Sequence, residues 1–440
     1  MFKIFANAWR VEDIRKKLLF VFLLLLIFRF GSAVPLPGID LEALDFFRGG
    51  GGDADGVAMT FFSMIMGGGL GSLFAMGIFP YITASIIMQL LTYALPYFSE
   101  LKKEGEEGNK KIQQLTRYFA VGLAFLQAVA TIFSYTNVNQ TGINLFRTEH
   151  QNPFVYAVAT LAMVSGTIFI MWLAELITER GVGQGASFLI FANILSALPA
   201  GAMTLWVMIV GESFLTGVVQ VLLILIVFVA MIAFVVLVHE GERRIPVQYA
   251  KRAGGTGRGS SMHGNHNSFI PIKVNLAGVL SIIFAMSFLQ FPMMIAGFFQ
   301  IADGGGFASF LNIISLTHWV GIILYVVLIF MFTRFYTSFA VNPREMAENM
   351  KKNGGFIPGI RPGQPTSEFI QTTVNRLSWI GAVFYSLIAV MPILLELAIP
   401  SLRGVGFGGT SLLIATGVAL EFVKQLESQL LMRHYKGFLD

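Results

Sequence analysis

The chain has 440 residues, of which 55% are hydrophobic and only 12% charged, and it carries a net charge of +5. Soluble domains hold about a quarter charged residues, so this balance excludes an ordinary soluble enzyme and points to a polytopic membrane protein. With no cysteine, disulfides and thiolate metal sites are excluded as well.

The N-terminus, MFKIFANAWRVEDIRKKLLFVFLLLLIFRFGSAVPLPG, has the basic lead, apolar run and small residues of a secretory signal. Its lead is long and spaces Phe2, Phe5, Trp9 and Ile14 between charges. That pattern predicts a retained interfacial segment over 1–17 followed by a first span, rather than a cleaved signal. Spans need about 20 mostly apolar residues, and on that criterion they fall at 18–34, 73–95, 117–136, 153–177, 186–205, 213–238, 274–300, 318–340, 375–396 and 408–425. The predicted fold class is an all-α polytopic membrane protein with ten transmembrane helices. The fifth span has the shortest clean core, because Gly183, Gly185 and Pro199 interrupt it.

Between the first two spans lies VAMTFFSMIM, Val57 to Met66, which is too short to cross a bilayer. It runs into GGGLGS, including Gly67, Gly68 and Gly69, which cannot hold a stable helix. A broken helix at membrane depth is tolerated only inside protein or beside a water-filled cavity. The short piece therefore enters from the outer side, stops, and hands over to span two. A disordered external loop is the other reading open at this point. Within span two, interrupted by Pro80, Ile82 and Ile86 lie four apart on one helix face, a spacing that ordinarily means plain core or lipid contact.

Loop charge sets the expected orientation. Twenty-six of the 30 Lys and Arg fall on one side if both termini are cytoplasmic, leaving Arg48, Arg147 and Arg403 outside and Arg29 near the outer end of span one. The inward segments 240–273 and 341–374 are long, basic and proline-punctuated. They read either as topology signals or as a docking platform, since their length exceeds what adjacent helices need. Ten spans divide into halves of five, 18–205 and 206–425, with a tail at 426–440. An odd-numbered half reverses direction on repetition, so the halves would be inverted, with the working site at their interface.

Ion-coupled transport needs ionisable groups at membrane depth. All seven Asp lie in loops or at the termini; Glu175, Glu179, Glu240, Glu242 and Glu396 sit at span ends and Glu421 about one turn inside. No proton or sodium relay is visible. Enzyme chemistry is no better supported. His263 and His266 have His-x-x-His spacing but no acidic neighbour, which reads as loop polarity. GGTGRGS at 254–260 follows no predicted strand and lacks the Lys-Ser/Thr ending of a phosphate loop. What remains is a passive conduit lined by apolar and small residues.

The stretches FAMGIFPYITASIIMQLL (74–91), ELKKEGEEGNKKIQQLTRY (100–118), MWLAELITERGVGQG (171–185), RRIPVQYAKR (243–252), NPREMAENMKKNGGFIPGIRPG (342–363) and GGTSLLIATGVALEFVKQLESQLLMRHYKG (408–437) closely resemble the SecY family, central subunits of bacterial protein-conducting channels. The resemblance implies two inverted five-helix halves forming a clamshell around an hourglass pore, opening sideways between spans two and seven. It implies a re-entrant plug near 57–71, with Phe61, Phe62, Met64, Ile65 and Met66 ahead of the three glycines. The family's pore ring maps onto Ile82, Ile86, Ala186, Ile190, Ile283 and Ile414. Ala186 stands where a larger aliphatic residue is usual, which implies a wider collar or a neighbour such as Leu189 filling in. Thr92 and Gln127 fit polar positions near the lateral gate, and equally fit ordinary interhelical hydrogen bonding.

By the same resemblance the basic loops would dock the SecA ATPase or a translating ribosome, whose rRNA phosphates favour Arg and Lys. Arg361 in GFIPGIRPG leads that set, with Arg243, Arg244, Lys251 and Arg252 behind it. The tip at 253–268 departs from the family's usual sequence. SecE bracing the back, SecG, signal peptides and unfolded preproteins complete the implied partners. A multi-pass location in the cytoplasmic (inner) membrane, no bound cofactor and no covalent chemistry follow, and a non-conducting membrane insertase is the alternative class.

Overall fold

A chain this apolar must satisfy its backbone hydrogen bonds internally wherever water is absent, and helices do so within one segment. The computed structural model describes residues 8–40, 71–136, 146, 152–211, 214–249, 268–274, 279–299, 310–311, 313–316, 318–398 and 409–436. Each of the ten predicted spans falls on a helix: α1 Glu12–Ala33, α2 Phe79–Ala94, α4 Glu106–Thr136, α5 Pro153–Arg180, α6 Gly185–Gly211, α7 Phe214–Glu240, α8 Leu280–Phe299, α9 Trp319–Ala340, α11 Gln364–Ala398 and α12 Gly409–Lys436. Two short helices, α3 Pro96–Lys103 and α10 Pro343–Lys352, lie between them. Among the described residues six helices are long and apolar enough to cross a membrane alone, and a seventh span arises if α2 and α3, bent by 96°, are taken together. The protein is a multi-pass membrane protein.

Several helices overrun the hydropathy boundaries. The polar run EEGNKKIQQLTR is helical within α4, because Glu, Lys, Gln, Leu and Arg are good helix formers that hydropathy does not register. The lead into the first span likewise continues into α1, and Ala8 and Ile14 pack against Leu426 near the end of α12. Pro199 does not stop α6; one lost amide donor is tolerable where neighbouring helices surround the break.

Span two departs from the expectation. Its helix begins only at Phe79, and Pro80 lies in the first turn, where its fixed φ and missing N–H are an advantage. Pro80 starts the helix rather than breaking it. Residues 71–78 are turns, yet Ser72, Phe74, Met76 and Ile78 are almost wholly buried. Their backbone is paired: the Leu36 N–H donates to the Gly71 carbonyl and the Leu73 N–H to the Val34 carbonyl, both at 2.8 Å. This is irregular backbone held inside protein, one of the two settings in which membrane depth permits it.

The basic segments are not bare loops. β1 (Glu242–Tyr249) and β2 (Ser268–Lys273) form an antiparallel ladder, and β3 (Gly355–Phe356) joins the other edge of β1. A strand thus does precede the 254–260 glycine run, contrary to the sequence reading, although the absent Lys-Ser/Thr ending still argues against a phosphate loop. Ile245, Val247, Ile272, Met350, Ile357, Ile370 and Val374 close a small separate core, so 242–249, 268–273 and 343–374 build one unit at the N-terminal end of α11.

In the bundle, α2 packs on α4, α4 on α5, α5 on α6 and on α1; farther along, α8 packs on α9, α9 on α11, and α11 and α7 on α12. These two groups meet where α6 touches α7 and α12, and again where α8 lies against α4 and α2. Gly166 on α5 lets the 71–78 segment approach: a Cβ there would collide with the Leu73 carbonyl. Gly166→Ala should cost about 1–3 kcal/mol through overpacking, lowering the unfolding temperature of the detergent-solubilised protein. Gly122→Ala, with nothing within 4 Å of the added carbon, should leave it unchanged or raise it.

Candidate pore constriction and docking surface

The six aliphatic positions singled out in the sequence come from four helices: Ile82 and Ile86 from α2, Ala186 and Ile190 from α6, Ile283 from α8 and Ile414 from α12. All six belong to one apolar cluster. Ile82, Ile86, Ile190 and Ile414 are buried and Ala186 and Ile283 partly so. The α2 pair reaches this position because Pro80 fixes the helix start two residues before Ile82 and the four-residue spacing keeps Ile86 on the same face. Leu189, 1% exposed, packs in the same cluster beside the small Ala186. Edge-to-face aromatic pairs frame it, Phe188 with Phe422 at 5.1 Å and Phe284 with Phe332 at 5.8 Å. The six aliphatic side chains offer no donor, acceptor or charge to a ligand. Chemically they can do one thing, which is to exclude water and ions until they are pushed apart.

The plug residues Phe61, Phe62, Met64, Ile65, Met66, Gly67, Gly68 and Gly69 lie outside the described residues, as do Lys251 and Arg252. The 71–78 segment that follows them is in place, and Phe74 and Ile78 join the same apolar cluster as the ring positions.

Thr92 and Gln127 are both buried, yet they are not brought together. Ala84 on α2 packs with Ala120 and Leu123 on the antiparallel α4. From that level Thr92 is eight residues one way and Gln127 four the other, about 18 Å of helix rise apart. Thr92 donates to the Met88 carbonyl of its own helix at 2.7 Å. The Oε1 of Gln127 has no hydrogen-bond partner among the described residues, and neither does the Oγ of Ser287 on α8, the helix packed against α4.

An ion pair that is not legible from spacing along the chain ties α4 to α5: Arg117 Nε lies 2.6 Å from Glu175 Oε1, with the two residues 58 apart. Arg117 opens its span and Glu175 lies near the end of its own, and only the folded bundle shows that the two ends coincide.

On the polar side, Arg361 is exposed at a turn. Gly359 there has φ of +82°, the left-handed region that a side chain disfavours. The Ile360 N–H donates to the Ile357 carbonyl at 3.0 Å, and the Thr366 hydroxyl donates to the Arg361 carbonyl at 2.9 Å. Ile357, 4% exposed, anchors the turn in the small core below. Arg243 and Arg244 are exposed on β1 of the same unit. Arg244 is engaged locally, 2.6 Å from Glu242 and 4.8 Å from the Phe269 ring centroid. Among the described residues, no cluster of three or more His, Asp or Glu could hold a metal ion.

Residues 72–423 match the family described as SecY. Over the full length of both chains the sequence is 41% identical to the protein translocase subunit SecY of Halalkalibacterium halodurans and of Bacillus subtilis, and 42% identical to that of Streptomyces galbus. Among solved structures it is similar to a protein-conducting channel, with a TM-score of 0.64 at 17% identity, covering 93% of this chain and 90% of that one. It is similar also to Sec61 in a canine ribosome–channel complex of the endoplasmic reticulum, with a TM-score of 0.62 at 16% identity, covering 93% and 90%. These two likenesses carry the fold.

The unpartnered Gln127 oxygen yields a stability prediction. Removing a buried polar group that lacks a partner recovers its desolvation penalty, about 1–3 kcal/mol. Gln127→Leu should therefore raise the unfolding temperature in detergent, whereas Thr92→Val, which breaks a satisfied bond, should lower it or leave it unchanged. A lowered value for Gln127→Leu would show that the oxygen has a partner after all.

Proposed function

The chain belongs to the SecY family, and from that premise we propose that it is the pore-forming subunit of a protein translocase, a passive conduit for unfolded polypeptide. The observation that carries the reading is the convergence of Ile82, Ile86, Ala186, Ile190, Ile283 and Ile414, from four separate helices, on one apolar cluster. In this reading they form a collar that closes by dewetting and re-forms around a moving chain of any sequence, because aliphatic side chains are bulky, uncharged and indifferent to peptide chemistry. A non-conducting insertase has no need of such a collar.

The two packing groups, α1 to α6 and α7 to α12, act as the halves of the clamshell. The seam where α8 lies against α2 and α4 is the lateral gate, through which a sufficiently apolar segment leaves for lipid at about 0.8 kcal/mol per buried CH₂. Gln127 and Ser287 lie on helices of that seam and Thr92 near the end of α2. The segment ahead of Gly71 serves as the plug. Both termini and the β1–β2–β3 unit face the cytoplasm, in the inner membrane, where the basic residues concentrate. There Arg361, with Arg243 and Arg244 and the neighbouring Lys251 and Arg252, receives SecA or the ribosome, the latter through rRNA phosphate. SecE and SecG complete the channel, and the driving work comes from the docked motor.

Two measurements test this. Replacing Ile82, Ile86, Ile190 and Ile283 together with glycine should raise the ion conductance of reconstituted membranes several-fold, and unchanged conductance would refute the collar. Arg361→Glu should reduce SecA-driven translocation into vesicles to background while the complex still purifies intact. Wild-type translocation by that variant would remove Arg361 from the docking surface.

A further inference from the structure

On α9 the large exposed side chains Ile323, Val327 and Met331 recur every fourth residue, marking one stripe turned away from the bundle. On α11 the exposed Leu394, Met391, Leu387, Val383, Ile380 and Trp379 mark the adjoining stripe. In a multi-pass membrane protein such stripes face lipid. Each runs into an arginine: Arg334 continues the first and Arg376 the second, and both are exposed. Charged groups within spans normally face the bundle interior or a partner. Neither arginine pairs with a carboxylate among the described residues.

The two cations share one aromatic wall. The Arg334 guanidinium lies 5.8 Å from the Trp379 ring centroid, and Phe330 packs on the same ring at 5.6 Å. Arg376 is three residues before Trp379, on the same face of α11. Both stripes thus end in a cleft between α9 and α11 with apolar walls below, an indole at the level where amphipathic rings settle, and two guanidinium groups above. Guanidinium is weakly hydrated and matches phosphate in a bidentate fashion, and a long arginine stem lets the head reach the headgroup layer while its base stays among acyl chains.

We propose that the Arg334–Trp379–Arg376 cleft binds the phosphate of an anionic phospholipid, with an acyl chain lying along the Ile323–Val327–Met331 stripe. A continuous apolar stripe beneath the cations favours a lipid over a soluble anion. Each basic residue near an anionic surface is worth roughly a factor of five, so two should enrich such a lipid locally about twenty-five-fold.

The test uses the full chain in lipid nanodiscs with Trp379 as the sole tryptophan, Trp9, Trp172, Trp206 and Trp319 being replaced by Phe. Phosphatidylglycerol brominated near the headgroup end of its chains, diluted in unbrominated phosphatidylcholine, should quench Trp379 much more than the same fraction of brominated phosphatidylcholine. The excess should fall partly in Arg376→Gln, disappear in Arg334→Gln/Arg376→Gln, and persist in Arg334→Lys. Equal quenching by the two lipids in the unsubstituted cleft would overturn the proposal, whatever the variants do. So would an absence of quenching by either, which would mean that protein covers the cleft. Loss of the excess on adding millimolar inorganic phosphate would assign it to a soluble anion and overturn it likewise.

Discussion

Everything in this molecule follows from the cost of an unpaired backbone amide where there is no water. That cost makes the ten apolar runs helical and confines irregular backbone to places already enclosed by protein. The 71–78 segment shows how tight the condition is. Its turns bond to residues 34 and 36 at the end of α1, and Gly166 removes the one carbon that would hold it off α5. Because α2 starts late, at Phe79, it enters the membrane interior as a short helix whose first turns carry Ile82 and Ile86. The broken span and the position of those two isoleucines are consequences of the same backbone constraint.

The apolar cluster takes its character from what it lacks. A channel for ions or metabolites discriminates by placed polar groups, whereas a conduit for arbitrary polypeptide must not prefer any side chain. Aliphatic residues from four helices meet that demand, since their contacts are non-directional and individually weak. Around the cluster the bundle is less uniform. The two groups of helices meet at α6 with α7 and α12 on one side, and at α8 with α2 and α4 on the other. The helices of both junctions carry buried oxygens without partners among the described residues, Gln220 on α7 and Gln127 and Ser287 on α4 and α8.

Much of this was legible in the sequence because hydropathy is a one-dimensional property. All ten spans were placed, and the aliphatic positions could be picked out by their motifs and later found in one cluster. What sequence reading missed depends on pairing. Strands β1 and β2 hide in basic, proline-bearing stretches where Arg243, Arg244, Pro246 and Pro271 obscure alternation, and they become strands only by lying against each other. Pro80 looked like an interruption because its position relative to a helix start is unknowable before the start is known. Thr92 and Gln127 looked like a pair because hairpin register fixes their separation, and composition does not. Arg334 counted only as one more charge near a boundary; its outward direction is visible only when the exposed stripe beneath it is.

The β1–β2–β3 unit and the bundle are joined by more than proximity. Helix α11 spans 35 residues, about 52 Å at the standard rise, with its one interior proline, Pro392, near its far end. Its first turns supply Ile370 and Val374 to the small core under the Arg361 turn, and Thr366 grips the Arg361 carbonyl directly. Farther along, Tyr385, Ile388 and Ala389 of the same helix lie in the cluster that contains the collar residues. A load applied at the turn therefore has a rigid route into the bundle: bending α11 would break its own hydrogen bonds, and tilting it would displace side chains packed around the constriction. In the proposed mechanism the motor need not touch the pore to bias it, because the element it holds is one of the elements that encloses the pore.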